Sequence, residues 1–289
     1  MAVIHSAWRQ PTNTSADEKG GIHDDDTAQK LGFDGGTVAG SLHMEQFPPL
    51  MVEYFGQDWW RRGNLSLYFK KATFDGDPVR AFLEGESANR AKVWMESEAG
   101  DLVMSGTAAL GEDPESEIQT RLQNVRRPTD IRMLSNVVPN KPSPTLKAMA
   151  NDAAIEERLR VITEPMSLYT ENAQDNKTWG GRVLPIAPFV HLFRGVEVEI
   201  APINGDYVGL YGAIEVQYLN GPVVSNTEYQ LNGHALAVSE SPKTEVLWYE
   251  ATLSEPESNQ PIARMIKMDR LMKDASPLWE KDRQKQGQE

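Results

Sequence analysis

The sequence predicts an α+β chain built from two related units, each a helix followed by an antiparallel meander. Three observations predict it. Two Gly-Gly turns, Gly35-Gly36 and Gly180-Gly181, each lead into an apolar helical pattern. Each is followed by four segments with the composition of strands. The halves also share landmarks at one offset of 145 residues: Ala28-Gln29 falls on Ala173-Gln174, Gly35-Gly36-Thr37-Val38 on Gly180-Gly181-Arg182-Val183, Leu65 on Leu210, and the turn pair Asp75-Gly76 on Asn220-Gly221. A single such pair is chance. One offset held from helix entry to hairpin turn points to a duplication.

The elements follow in order. Roughly the first 25 residues are polar and Gly-rich and read as an extended lead-in. A short helix is predicted over Asp25–Leu31, with Asp24 to Asp26 as candidate caps and Gly32 as the stop. "GGTVAGSLHMEQFPPLMVEYFG" reads as a longer helix that kinks or restarts at Pro48 and Pro49, which lack the N–H a helix interior needs. "NLSLYFKKATF", "PVRAFLEG", "NRAKVWMESE" and "LVMSGTAAL" read as strands, with "FDGDP" and "EAGD" as turns. Residues Gly111 to Pro144 are polar and proline-punctuated. This divides the chain into a first unit at 1–115, a linker at 116–144 and a second unit at 145–289. The second unit opens with a helical pattern, "LKAMANDAAIEERLRVIT". "ENAQDNKTWGGRVLPIAPFVHLFRGV" is its turn into an apolar helix. "VGLYGAIEVQYL", "PVVSNTEYQLNGHALAVS", "TEVLWYEATL" and "ARMIKM" are its strands, and "WEKDRQKQGQE" reads as a frayed tail.

Composition narrows the function classes. Over 289 residues, 39% hydrophobic and 8% aromatic content suffices for a large core. No apolar run approaches the ~18 residues of a membrane span, and the start lacks the layout of a signal peptide. The absence of Cys removes disulfides, thiolate nucleophiles and Cys metal sites, and suits the cytoplasm. A net charge of −13 disfavours nucleic acid and anionic membrane as partners, so an anionic ligand needs a local basic patch. Five scattered His supply no metal-ligand set. "DGDP" is a turn and not a calcium loop, "GFDGG" lacks phosphate-loop spacing, and no Gly-x-Ser-x-Gly elbow is present.

The stretch "IHDDDTAQKLGFDGGTVAGSL" carries the densest chemistry. It resembles the MaoC-like, R-specific enoyl-CoA hydratase family of hot-dog folds. The matching pattern is His-x-Asp-x-x-Ala, a Phe closing a small helix and a Gly starting the central helix: His23, Asp25, Ala28, Phe33 and Gly40. The resemblance implies a double hot-dog, two antiparallel sheets each wrapped round a central helix and paired within one chain. It departs from the family at three places. The catalytic Asp expected five residues before the His is Glu18, the Asn-Pro before the His is "KGG", and the His that often precedes the Gly is Ala39. At the 145 offset His23 falls on Leu168 and Asp25 on Thr170, so the second unit is expected to have lost the polar pair.

Hydration of a 2-enoyl thioester needs a base for the attacking water, an acid for the α-carbon and a donor for the thioester oxygen. A histidine suits the first role because its ordinary pKa lies near neutrality. The resemblance assigns His23 as acid/base, Asp25 and Glu18 as supporting carboxylates, and the Gly40 N–H as the donor at the helix start. Ala39 and His43 are expected beside the substrate. In "DWWRRGNL", Arg61 and Arg62 are candidates for the phosphates of coenzyme A, against an ordinary reading as cations ending a helix. The implied partner is an acyl-CoA or acyl-carrier thioester, with no cofactor beyond the coenzyme A of the substrate, and a homodimer of such chains stays open. Two other readings stand beside the hydratase: an acyl-CoA thioesterase using Glu45, and a non-catalytic acyl-thioester-binding protein.

Overall fold

The computed structural model describes residues 2–171 and 173–280. The predicted frayed tail from 281 onward lies outside the described residues. The strands are β1 (Val3–His5), β2 (Gly63–Phe69), β3 (Val79–Ser87), β4 (Arg90–Ser97), β5 (Leu102–Leu110), β6 (Leu146–Ala148), β7 (Gly209–Tyr218), β8 (Tyr229–Glu240), β9 (Thr244–Ser254) and β10 (Pro261–Met272). They form one sheet in the order β1-β3-β4-β5-β2-β7-β10-β9-β8-β6. Each half repeats the other's order outward from the central β2–β7 pair, which is antiparallel and runs from Asn64↔Gln217 to Tyr68↔Ala213. The two meanders thus meet edge to edge, which removes two exposed sheet edges at once.

The helices are α1 (Asp25–Lys30), α2 (Gly40–Met44), α3 (Pro48–Phe55), α4 (Trp59–Arg62), α5 (Glu117–Gln123), α6 (Asp152–Leu159), α7 (Ala173–Trp179), α8 (Ile186–His191) and α9 (Arg194–Ile200). The long first helix is two, α2 and α3, broken before Pro48-Pro49 as proline chemistry requires. Met44, Phe47 and Met51 pack with Phe189, Phe193 and Val196 over Leu65, Leu67, Ile214 and Val216 in the main core. Trp59 and Trp60 are fully buried at the junction of the halves, edge-on or tilted to Tyr218 and Tyr169. They serve the core.

Two sequence expectations change. The segment Leu146–Ala148 was expected to open a helix. It pairs instead with β8, as Val3–His5 in the lead-in pairs with β3, so each half gains a short outer strand. Backbone hydrogen bonds also reset the internal alignment. Thr37 N–H donates to the Ile22 carbonyl as Val183 N–H donates to Leu168, and Val38 to Thr73 as Leu184 to Val223. The local offset is 146, so Tyr169 stands in place of His23 and Glu171 in place of Asp25. Within the predicted linker, Ser116 caps α5 by accepting from Gln119 N–H, and Ile118 lies among Ala213, Trp248, Ile266 and Met268 in a second core on the other face of the sheet. Further on, Glu245 accepts from the N–H groups of Arg132, Met133 and Leu134 and pins the chain to the second half.

A fully buried ion pair crosses between the halves. Arg158 places Nε and Nη2 each 2.6 Å from Glu45 Oε2, and Ala187 N–H donates to Oε1 at 3.2 Å. Burial pushes the Glu45 carboxyl up to about 7 against the pull of Arg158. Arg158→Met therefore leaves a buried carboxylate without its partner, and urea unfolding at pH 8 is expected to show a loss of about 3–5 kcal/mol. A carboxyl whose folded pKa is raised is protonated in the native state as pH falls, so the loss shrinks at pH 5. The double variant Arg158→Met/Glu45→Leu recovers most of it.

Candidate active site

The loop that carries His23 is built by short-range hydrogen bonds. Asp24 stands at the N-cap of α1 without a side-chain bond to the helix backbone; its carboxylate accepts from Thr27 Oγ1 at 2.6 Å, Lys19 Nζ at 2.9 Å and Gly20 N–H at 3.3 Å. The Thr27 hydroxyl first, and then Lys19, hold it well below the usual carboxylate range. The buried Asn13 donates to the His23 carbonyl at 2.8 Å. A Cβ at Gly36 would fall on that same carbonyl, so only glycine lets the loop close there. Asp25 Oδ1 accepts from Gly36 N–H at 2.7 Å, tying the start of α1 to the Gly-Gly turn.

His23 Nδ1 lies 2.7 Å from the Thr37 carbonyl oxygen. A carbonyl only accepts, so Nδ1 is the donor, and in the neutral ring the lone pair is on Nε2. The ring is half-buried and lines a cavity of about 580 Å³ at the junction of the two halves. Ala39 and Gly40 line the same cavity. Gly40 opens α2, and among the described residues its N–H has no backbone acceptor. A Cβ there would lie 2.6 Å from the Phe69 ring, so any side chain at this position would have to displace that ring. His43, fully buried on α2, faces the cavity and holds Thr73 Oγ1 at 2.6 Å through Nε2. Burial pushes its imidazole down to about 4.

The structure brings His23, Ala39, Gly40 and His43 together and leaves the other candidates outside. Glu18 is exposed and accepts from Ser15 Oγ at 3.2 Å. Asp25 is exposed and engaged with the Gly36 N–H. Arg61 stacks its guanidinium over Trp179 and Arg62 pairs with Asp58 at 3.5 Å, and neither lines the cavity. Cations do line it elsewhere: Lys70 and Lys71, which follow β2, and Arg194 on α9 are exposed around it.

The second half supplies residues that no motif announces. Lys267 Nζ lies 2.8 Å from Asp269 Oδ2 and 3.1 Å from Glu197 Oε2, with the Tyr211 ring 4.3 Å away, and all four residues line the cavity. Tyr249 donates to Glu197 at 3.3 Å. Burial works against the Lys267 ammonium, but Asp269 and its other neighbours overcome it and keep it charged. Burial and the adjacent Glu197 raise Asp269. One signal was readable. In "ARMIKMDRLM", period two puts Lys267 and Asp269 on the same face as Ala263, Met265 and Leu271, so charges stand at core positions. Among the described residues no group of three or more His, Asp or Glu is placed to hold a metal ion, and no helix is long and apolar enough to cross a membrane.

This architecture, two hot-dog units fused through β2 and β7, is a double hot-dog fold. Solved structures share it across nearly the whole chain. A putative MaoC domain protein dehydratase from Chloroflexus aurantiacus aligns with a TM-score of 0.62 at 11% identity, covering 94% of both chains. A MaoC-like dehydratase aligns at 0.55 and 12%, covering 93% of this chain and 97% of that one. A conserved hypothetical protein of Mycobacterium tuberculosis with a double hotdog fold aligns at 0.58 and 10%, covering 93% and 95%. Neither the protein-family models nor the curated proteins give a match to this sequence.

The neutral state of His43 has a measurable consequence. Its folded pKa of about 4 lies below the ordinary 6.5, so the unfolded chain binds the extra proton first as pH falls. His43 therefore favours folding above pH 6.5, and that contribution is lost as pH drops from 6.5 to 4, on the order of 3 kcal/mol in total. Subtracting the pH–stability curve of His43→Gln from that of the parent chain isolates the effect. A difference that stays flat across that window contradicts it.

Proposed function

We propose that the cavity binds an acyl thioester and that the chain is an (R)-specific 2-enoyl-thioester hydratase, or in reverse a 3-hydroxyacyl-thioester dehydratase. The observation that carries this reading is His23. Its Nδ1–H is engaged by the Thr37 carbonyl, Nε2 has no hydrogen-bond partner among the described residues, and Gly40 lines the same cavity. In the hydration direction Nε2 takes a proton from water as the water oxygen bonds the β-carbon. The electron pair of the double bond moves toward the thioester carbonyl, whose oxygen is held by the Gly40 N–H. The imidazolium then returns the proton to the α-carbon, so atoms and charge balance. Asp25 acts through the Gly36 N–H as a positioning residue. Lys70, Lys71 and Arg194 provide the local positive charge that the phosphates of coenzyme A need in an acidic protein.

A second reading, a binding protein without catalysis, is favoured by one observation: neither Glu18 nor Asp25 shares the cavity with His23. The thioesterase reading loses its candidate, because Glu45 is buried outside the cavity lining and engaged by Arg158 and the Ala187 N–H.

Loss of enoyl-thioester absorbance from crotonyl-CoA and a longer 2-enoyl-CoA decides between them. Turnover is expected, and His23→Ala is expected to lower it by about two orders of magnitude or more. Turnover that survives His23→Ala removes His23 from the chemistry. Binding without turnover favours the non-catalytic reading.

A further inference from the structure

A water held at two points attacks along one direction, and His23 supplies one point. Neither Glu18 nor Asp25 lines the cavity to supply the other, and the carboxylates that do line it, Glu197 and Asp269, stand on the opposite wall against the Lys267 ammonium. A different polar group stands on the His23 side. Thr73 Oγ1 and His43 Nε2 are 2.6 Å apart, and both residues line the cavity. The backbone fixes them beside His23. The Thr37 carbonyl holds the His23 ring at 2.7 Å. The next residue, Val38, donates its N–H to the Thr73 carbonyl at 2.9 Å, and Thr37 forms an antiparallel bridge with Phe74. Gly40 opens α2 two residues later, and His43 lies three residues along that helix, on the same face as Gly40. The single stretch Thr37 to His43 thus carries or holds all four groups.

Packing alone does not account for this pair. His43 Nδ1 is buried and has no hydrogen-bond partner among the described residues. An apolar side chain would fill the same place without the cost of that unpaired atom. The Thr73 hydroxyl has His43 as its only partner among the described residues. A hydroxyl offers one proton and two lone pairs, and His43 uses one of the three whichever tautomer it holds, so Thr73 keeps an acceptor in reserve. We propose that the Thr73 hydroxyl, aimed by His43, is the second contact of the attacking water. The inference rests on the hydratase reading and adds a residue to it. The water gives one proton to His23 Nε2 and donates its other O–H to Thr73 Oγ1, which turns its lone pair toward the β-carbon. In the dehydration direction the same hydrogen bond holds the departing 3-hydroxyl. Thr73 transfers no proton, so the balance of the reaction is unchanged. His43 acts through Thr73 and is a positioning residue.

The test measures kcat and KM for crotonyl-CoA hydration by the full chain. Calorimetric titration with butyryl-CoA, which has neither the double bond nor a 3-hydroxyl, reports whether the cavity is intact. Thr73→Val removes the hydroxyl at nearly constant volume. It is expected to lower kcat by about ten-fold or more, with KM and the butyryl-CoA affinity held within about two-fold. Thr73→Ser, which keeps the hydroxyl, is expected to retain most of kcat. His43→Gln, which still offers Thr73 a hydrogen-bonding partner, is expected to retain more of kcat than His43→Leu. An unchanged kcat in Thr73→Val overturns the proposal while leaving the hydratase reading standing. So does a loss in Thr73→Val that the butyryl-CoA affinity shares, or one that Thr73→Ser does not recover, since either assigns Thr73 to packing. Equal losses in His43→Gln and His43→Leu overturn the role of His43. No turnover by the parent chain overturns the hydratase reading, and this inference with it.

Discussion

The structure depends on the hydrogen-bonded seam between β2 and β7. A hot-dog unit alone has an open sheet edge and a helix whose flank is uncovered. Joining Asn64–Tyr68 to Ala213–Gln217 closes both edges and brings α2 against α8. Everything charged and buried near the junction follows from that closure. Glu215 on β7 receives hydrogen bonds from Asn64 on β2 and from Ser116 at the cap of α5, and Glu45 reaches across to Arg158 and α8. These polar groups sit where only the correct register satisfies them, so a slip of one residue in the seam would strand each of them.

The same seam makes the cavity. β2 ends at Phe69 while β7 starts at Gly209, beyond the last paired residue. Where the strands part, the His23 loop enters from one half and α9 and β10 from the other. His23 is held by local bonds within its own half: Asn13 on its carbonyl, Thr37 on its ring, Gly36 beneath. The opposing wall is held by long-range sheet pairing. A loop aimed by local hydrogen bonds thus faces a wall fixed by strands.

Much of this was legible in the sequence because it rests on local rules. The Gly-Gly turns, the break at Pro48-Pro49 and the eight long strands come from backbone chemistry and alternation that any reader of the chain can count. The duplicated helix-plus-meander follows from repetition of that pattern, and the hot-dog form from the family resemblance of the His23 stretch. His23 and Gly40 were visible as a spaced motif. Leu146–Ala148 was not, since a segment of good helix formers becomes a strand only when β8 offers it an edge. Arg61 and Arg62 looked available for phosphates from their position after two tryptophans, but the burial of Trp59 and Trp60 fixes the direction of α4 and leaves both guanidinium groups elsewhere. Lys267 and Asp269 are far in sequence from His23. Only the closure of the seam places them in one cavity with it.

Tyr169 occupies the place in the second half that His23 occupies in the first. In a dimer of identical chains every change is written into both copies, so a substitution that suits one site is imposed on the other. Here the two positions are separately encoded. The chain can hold a small polar ring where a loop faces the cavity and a large buried aromatic against Trp60 where packing needs bulk, with neither choice constraining the other. Covalent fusion has turned a symmetric architecture into one whose two halves answer to different demands.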